Sequence, residues 1–225
     1  MKTVTRALVV RSVDYKDSDK ILTLLTPDMG KLSAGARGCR KKGSAIAAAC
    51  QLLCWSELVL SDRGGKWSVS EASTLREFLG VRRDLDKLAL ACYFAEMAEV
   101  LSVEGMPSPG LLSLTLNSLH ALECLDRPPE QIKAVFELRL MCLAGYEPDL
   151  SCCARCGAPE PAEPWLSLRG GAVYCAHCRG ASSSAVTPLL PETLAAMRHI
   201  VNADPKKIFS FTLGDAGRRQ LAHVC

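Results

Sequence analysis

Two cysteine pairs constrain this chain more than any other feature. Cys153-Ala154-Arg155-Cys156 and Cys175-Ala176-His177-Cys178 are separated by eighteen residues, a C-x2-C-x18-C-x2-C pattern. That spacing belongs to four-thiolate zinc sites. Zn²⁺ takes four ligands in a tetrahedron with sulfur at about 2.3 Å, and each C-x-x-C turn brings two thiolates to one side of the ion. Gly157 directly follows the first pair, where a chain leaving a tight knuckle needs positive φ. Between the pairs, Trp165-Leu166-Ser167-Leu168 and Ala172-Val173-Tyr174-Cys175 read as short strands joined through Gly170-Gly171. The expected unit is a zinc ribbon at about 150–182, with Cys153, Cys156, Cys175 and Cys178 as ligands. With all four positions filled by cysteine no place remains for water, so the expected zinc is structural, not catalytic. Cys152 and His177 are neighbours of the ligands; a register through Cys152 would give C-x3-C, so Cys153 is preferred. The competing reading is a pair of disulfides.

Twelve cysteines in 225 residues without an export signal argue for a reducing compartment, where thiols bind metal or fill cores. The N-terminal apolar run at 7–10 stops at Arg11, too short for a signal peptide. The most apolar helical stretch, 88–95, is flanked by Asp86, Lys87, Glu96 and Glu99, which excludes a membrane span there. The expected location is the cytoplasm. Charge is unevenly spread. Residues 1–80 carry 13 basic against 8 acidic residues, 81–150 carry 6 against 11, and 151–225 carry 8 against 5. A basic first part beside an acidic middle suggests different binding faces, one of them for polyanions.

Hydrophobic periodicity divides the chain into residues 1–80 and 81–225. Residues 4–13, 21–26, 31–37, 52–61 and 66–73 read as five strands, with turn signals at Pro27-Asp28-Met29-Gly30 and Asp62-Arg63-Gly64-Gly65. Five short strands are the count of an OB-fold barrel, with an SH3-like barrel as the alternative. From residue 84 the period becomes helical. Asp84 is the expected cap of a helix reaching about residue 103, apolar all round and therefore buried. Ser108-Pro109 and Pro128-Pro129-Glu130 open two further helices, and Gly145 closes the second. Ser182-Ser183-Ser184 reads as a linker, Thr187-Pro188 as a helix start, and 215–225 as a last helix without a recognisable end, as though the native helix continued. The expected fold class is α+β and multidomain: an N-terminal OB-fold β-barrel at 1–80, then a helical domain at 81–225 with an inserted four-cysteine zinc ribbon.

The candidate binding chemistry is a run of cations. Lys31, Arg37, Arg40, Lys41 and Lys42 include no acid among residues 31–42, and small residues separate them. A flexible basic loop between barrel strands can follow a phosphate backbone and release counterions. A solvated loop is the bland alternative. Tyr15, Trp55 and Trp67 are possible stacking surfaces, or core. Gly38-Cys39-Arg40-Lys41-Lys42-Gly43-Ser44 approaches a P-loop but has Ser44 where the phosphate-binding lysine must stand, so nucleotide hydrolysis is rejected. Asp14, Asp17 and Asp19 could serve a metal nuclease, although no partner carboxylates recur. His120, His177, His199 and His223 form no catalytic pattern. Cys39, Cys50, Cys54, Cys92, Cys124 and Cys142 are expected core thiols. No active site is visible.

The order of parts resembles the RecO family of bacterial recombination mediator proteins over essentially the whole chain. The most specific pieces are Tyr15-Lys16-Asp17-Ser18-Asp19-Lys20-Ile21-Leu22, then Leu25-Thr26, Gly30-Lys31 and Gly35-Ala36-Arg37, and later Gly145-Tyr146-Glu147-Pro148 ahead of the ribbon. The resemblance implies a non-enzymatic DNA repair protein of the bacterial cytoplasm and nucleoid. Such a protein binds single- and double-stranded DNA, anneals complementary strands, and works with the RecR recombination protein. Together they load recombinase onto strands coated by single-strand-binding protein. It also implies structural zinc on Cys153, Cys156, Cys175 and Cys178, and DNA contact at Arg37, Arg40, Lys41 and Lys42. Two other classes remain open: a zinc-ribbon adaptor that binds only proteins, and an Asp-dependent nuclease.

Overall fold

The computed structural model describes residues 2–161 and 163–225. The chain divides into two compact units, one ending at Leu125 and the other running Asp126–Cys225.

The first unit is built on five strands: β1 (Lys2–Tyr15), β2 (Asp19–Thr26), β3 (Gly30–Ala36), β4 (Trp55–Arg63) and β5 (Lys66–Arg76). They close into a barrel in the order β1-β2-β3-β5-β4. β1 is long enough to serve two neighbours. Its first half pairs with β4 and its second with β2, with an irregularity between Val9 and Arg11 where the strand turns from one partner to the other. The parallel contact of β3 with β5, Ala34 opposite Trp67 and Gly35 opposite Ser68, completes the closure. This Greek-key connectivity is the OB-type barrel expected from the strand count. Alternate residues point inward: Ala7 and Val9, Leu22 and Leu24, Leu32, Ala34 and Ala36, Leu58 and Leu60, and Val69 form the buried core. At the β2–β3 turn, Thr26 donates to Gly30 O (2.9 Å) and accepts from Met29 N (3.1 Å). Gly30 has φ +66°, and a Cβ there would overlap the Met106 carbonyl, so no other residue fits.

Three helices complete this unit: α1 (Leu79–Arg82), α2 (Leu85–Leu101) and α3 (Pro109–Cys124). Asp84 caps α2 as expected, accepting the N–H groups of Asp86 and Lys87. The expectation that α2 is buried all round does not hold. It buries only Ala91, Phe94, Ala95 and Ala98, and leaves Leu85 and Val100 mostly exposed, because it packs one face against α3, β1 and α1 and leaves the other to solvent. Polar ties hold these helices to the barrel. Arg11 pairs with Glu99 at 2.8 Å, and Arg76 pairs with Glu123 at 2.7 Å.

The second unit contains α4 (Pro129–Leu143), β6 (Asp149–Cys153), β7 (Pro164–Ser167), β8 (Ala172–Cys175), β9 (Thr187–Pro188), α5 (Pro191–Asn202) and α6 (Asp215–Val224). Its four-stranded sheet has the order β6-β8-β7-β9. The β7–β8 hairpin matches the expected ribbon strands. Two expectations are corrected around it. Thr187-Pro188 is not a helix start; it forms β9 against β7, and α5 begins at Pro191, whose missing N–H is harmless at a helix N-terminus. The three serines at 182–184 are not a free linker, since the Ser184 and Ser167 hydroxyls lie 2.6 Å apart. Leu194, Met197, Ile200 and Val201 form the buried face of α5, as their spacing predicts. Among the described residues, no helix is long and apolar enough to cross a membrane.

Candidate nucleic-acid groove and metal centre

The barrel carries a groove of about 570 Å³. Four barrel segments and Glu104 form it: Tyr15 and Lys16 at the end of β1, Asp19, Lys20 and Ile21 of β2, residues around the end of β3 from Ser33 to Arg37, and residues around the β4–β5 turn from Arg63 to Ser68. These are the strand 2–3 face and the two flanking loops with which OB-type barrels take oligonucleotides. Five cations line the groove, Lys16, Lys20, Arg37, Arg63 and Lys66, against two carboxylates, Asp19 and Glu104. Tyr15 is about half exposed, with Lys16 Nζ 5.3 Å from its ring centroid. Trp67 is half-buried, packing one side on the barrel core while it lines the groove.

The structure separates the sequence candidates. Arg37 lines the groove; Arg40, Lys41 and Lys42 are exposed on the turns that follow and do not. Arg40 pairs with Asp14 at 3.3 Å. Lys31 is not a loop cation, because it lies in β3 and its ammonium donates to the Glu99 carbonyl at 2.8 Å. Trp55 is half-buried away from the groove. The segment from Arg37 to β4 is a succession of turns anchored by buried Cys39, Cys50 and Cys54. Burial, then the neighbouring Cys39 thiol, pushes the Cys50 thiol up to about 12, so it acts as a core group. Cys92 and Cys142 are half-buried, whereas Cys124 is exposed, unlike the core thiol expected of it. Lys16, Lys20, Arg63 and Lys66 escaped sequence reasoning because each is an isolated cation, brought to the others only by barrel closure.

The three aspartates do not gather into a metal site. Asp14 faces Lys20 and Arg40, and Asp19 accepts the Gly38 N–H at 2.8 Å. Among the described residues, the one group of three or more ligating side chains close enough to share an ion is Cys153, Cys156, Cys175 and Cys178. Their Sγ atoms all lie within 4.8 Å of one another, with Cys156 and Cys175 at 3.9 Å. Tetrahedral zinc thiolate requires sulfur separations of about 3.8 Å, so the group fits such an ion with small adjustment. Cys152 and His177 are outside it. The knuckle turns are in place: Gly157 has φ +72°, and its N–H donates to Cys153 O at 2.9 Å. Cys175 N donates to Cys153 Sγ at 3.3 Å. Burial alone would raise the Cys153 thiol, but N–H donors from Cys156, Cys175 and Arg155 outweigh it and draw it down to about 6. Hydrogen bonds shared with the Cys175 thiol, then burial and the other two thiols, push Cys178 up to about 12. Such donors around sulfur are the outer shell that stabilises a bound thiolate. Arg198 of α5 secures the first knuckle, donating to Leu150 O (2.6 Å), Ser151 O (3.0 Å), Pro159 O (2.7 Å) and Glu160 (2.8 Å).

An OB-type barrel with a cationic, aromatic-lined groove, followed by helices and a four-cysteine ribbon, defines a class of modular barrel-and-ribbon proteins. Residues 1–78 match the family described as Recombination protein O N terminal, and residues 82–225 match Recombination protein O C terminal. The chain belongs to the RecO family. Curated relatives named DNA repair protein RecO include that of Acetivibrio thermocellus, 31% identical over 220 residues, covering 98% of this chain and 87% of the relative. That of Heliobacterium modesticaldum is 34% identical, covering 97% and 81%. That of Desulforudis audaxviator is 37% identical over 176 residues, covering 78% and 70%.

Proposed function

We propose that this chain is a non-enzymatic DNA repair and recombination mediator. It binds single- and double-stranded DNA and anneals complementary strands. With the RecR recombination protein it helps load recombinase onto strands coated by single-strand-binding protein. The observation that carries this reading is the groove, where five cations and two aromatic side chains converge on the oligonucleotide face of the barrel. Annealing brings two rows of phosphates together, and a cationic surface lowers that repulsion without making or breaking a covalent bond. Lys16, Lys20, Arg37, Arg63 and Lys66 neutralise the backbone, while Tyr15 and Trp67 offer π-faces that accept any base. Arg40, Lys41 and Lys42 extend the cationic surface beyond the groove.

Cys153, Cys156, Cys175 and Cys178 would hold structural zinc. Four thiolates leave no position for water, so the ion would supply folding free energy to the ribbon.

The test is annealing of complementary oligonucleotides precoated with single-strand-binding protein, without nucleotide, across a salt series. Salt-sensitive annealing that fades in an Arg37→Ala/Lys66→Ala variant, with the strands intact afterwards, supports the reading. No binding and no annealing by a folded, zinc-loaded protein overturns it in favour of a protein-binding adaptor. Shortened strands overturn it in favour of a nuclease.

A further inference from the structure

The ribbon has a second surface that its zinc role leaves unexplained. In the β6-β8-β7-β9 sheet, Leu166 and Val173 are opposite each other and buried. The neighbouring pair, Trp165 and Tyr174, therefore faces the other way, and both remain half-exposed. Pro188 of β9 is opposite Trp165, so two aromatic rings and a proline ring form a row across β8, β7 and β9. The Arg179 guanidinium stacks on Trp165 at 4.3 Å from the ring centroid. Arg155 occupies the third position of the first cysteine knuckle and is exposed. Among the described residues, neither Arg155 nor Arg179 has an ion-pair partner. Between residues 150 and 190 there are two acids, Glu160 and Glu163, and Glu160 is already bound to Arg198.

We infer that this ribbon face is a second contact for single-stranded nucleic acid: Trp165 and Tyr174 stack bases, and Arg179 and Arg155 bind the adjoining phosphates. The inference rests on the DNA-binding reading above and adds a site to it. Aromatic side chains on the central strands of a small four-stranded sheet are a recurrent platform for unstacked bases. Neighbouring strands are about 4.8 Å apart, so the two rings can serve successive, slightly splayed bases. An arginine stacked on an indole keeps its N–H edge free and preorganised for a phosphate, which a lysine could not do. A protein with one strand in the barrel groove and a second strand on the ribbon can hold two strands at once, as annealing requires.

Ultraviolet cross-linking tests this directly. Zinc-loaded, full-length protein is irradiated with a bromodeoxyuridine-substituted oligothymidylate, and the linked residues are mapped by mass spectrometry. Adducts on Trp165 or Tyr174, besides those on the barrel, are expected. In Arg155→Ala/Arg179→Ala these ribbon adducts fall about tenfold. The log–log salt slope of binding drops by about 1.4, near 0.7 for each phosphate no longer neutralised. Adducts confined to the barrel with an unchanged slope overturn the inference and leave the mediator reading intact. Loss of zinc with unchanged adducts also overturns it, since the arginines then merely offset the charge of the thiolate site. Uptake of an acidic peptide by the ribbon with no adduct there makes the face a protein-docking surface and overturns it too. Absence of any DNA binding removes both readings together.

Discussion

Asp19 Oδ1 accepts the backbone N–H of Gly38 at 2.8 Å, so a carboxylate at the start of β2 holds the beginning of the basic segment that follows β3. The same carboxylate lines the cationic groove. It therefore lowers the positive charge of the groove while fixing the backbone at one of its edges.

The two effects separate by substitution. Asp19→Asn keeps an oxygen acceptor and removes the charge, so single-stranded DNA affinity should rise about two- to fivefold at low salt. Asp19→Ala also loses the hydrogen bond and should cost about 1 kcal/mol of stability in urea denaturation. Weaker binding by the Asn variant would show that the anion itself is needed.

The groove and the exposed loop make different contributions. Arg37→Ala/Lys66→Ala removes two groove cations and should reduce the salt slope of single-strand binding by about 1.4. Lys41→Ala/Lys42→Ala, outside the groove, should have less than half that effect. Fluorescence anisotropy across a salt series measures both, and an equal or larger loss from the loop pair would place the binding surface on the turns instead.

Metal removal should act locally. Chelation is expected to expose four thiols to a colorimetric thiol reagent and to change Trp165 emission in a Trp55→Phe/Trp67→Phe background, because the knuckles lose their crosslink. Arg198→Ala removes four hydrogen bonds from the first knuckle, and should cost about 2–3 kcal/mol and speed zinc release to a chelator. Unchanged release would show that the thiolates alone set the rate.

The Glu123 carboxyl lies between opposing influences. Burial raises its pKa, but hydrogen bonds from Arg76 and from Gly80 N outweigh this and hold it below the ordinary value of 4.5. A depressed carboxyl stabilises the fold fully above the unfolded-state value and loses that contribution as pH falls through the folded-state value. Glu123→Gln should thus cost about 0.5–1 kcal/mol near neutral pH, since the half-exposed Arg76 guanidinium is partly screened by solvent. The difference should shrink steadily below pH 4.5. Urea melts at about pH 7 and about pH 3.5 check this, and a constant gap would rule out the ion pair as its source.

Much of this architecture is local and hence legible in the residues. The turn signals around Gly30 and Gly64, the Asp84 cap and the Gly157 knuckle act within a few residues, so short-range pattern locates them. Thr187-Pro188 misled because proline suits a helix start and an edge strand alike, and the choice depended on whether β7 offered an unpaired edge. Lys31 misled because a cation beside basic neighbours looks solvated until a helix carbonyl is placed against it.

By itself the sequence determined the four cysteines that cluster, the five strands and most helix limits, because spacing, alternation and capping are properties of neighbouring residues. Only the tertiary structure decided which cations face one another. Lys16, Arg37 and Lys66 are far apart along the chain and meet because β3 pairs with β5 and closes the barrel. On the ribbon, Trp165, Tyr174 and Pro188 form one face only after strand register selects it. Charge density and stacking depend on distances in space, and those distances exist only once the sheets have closed.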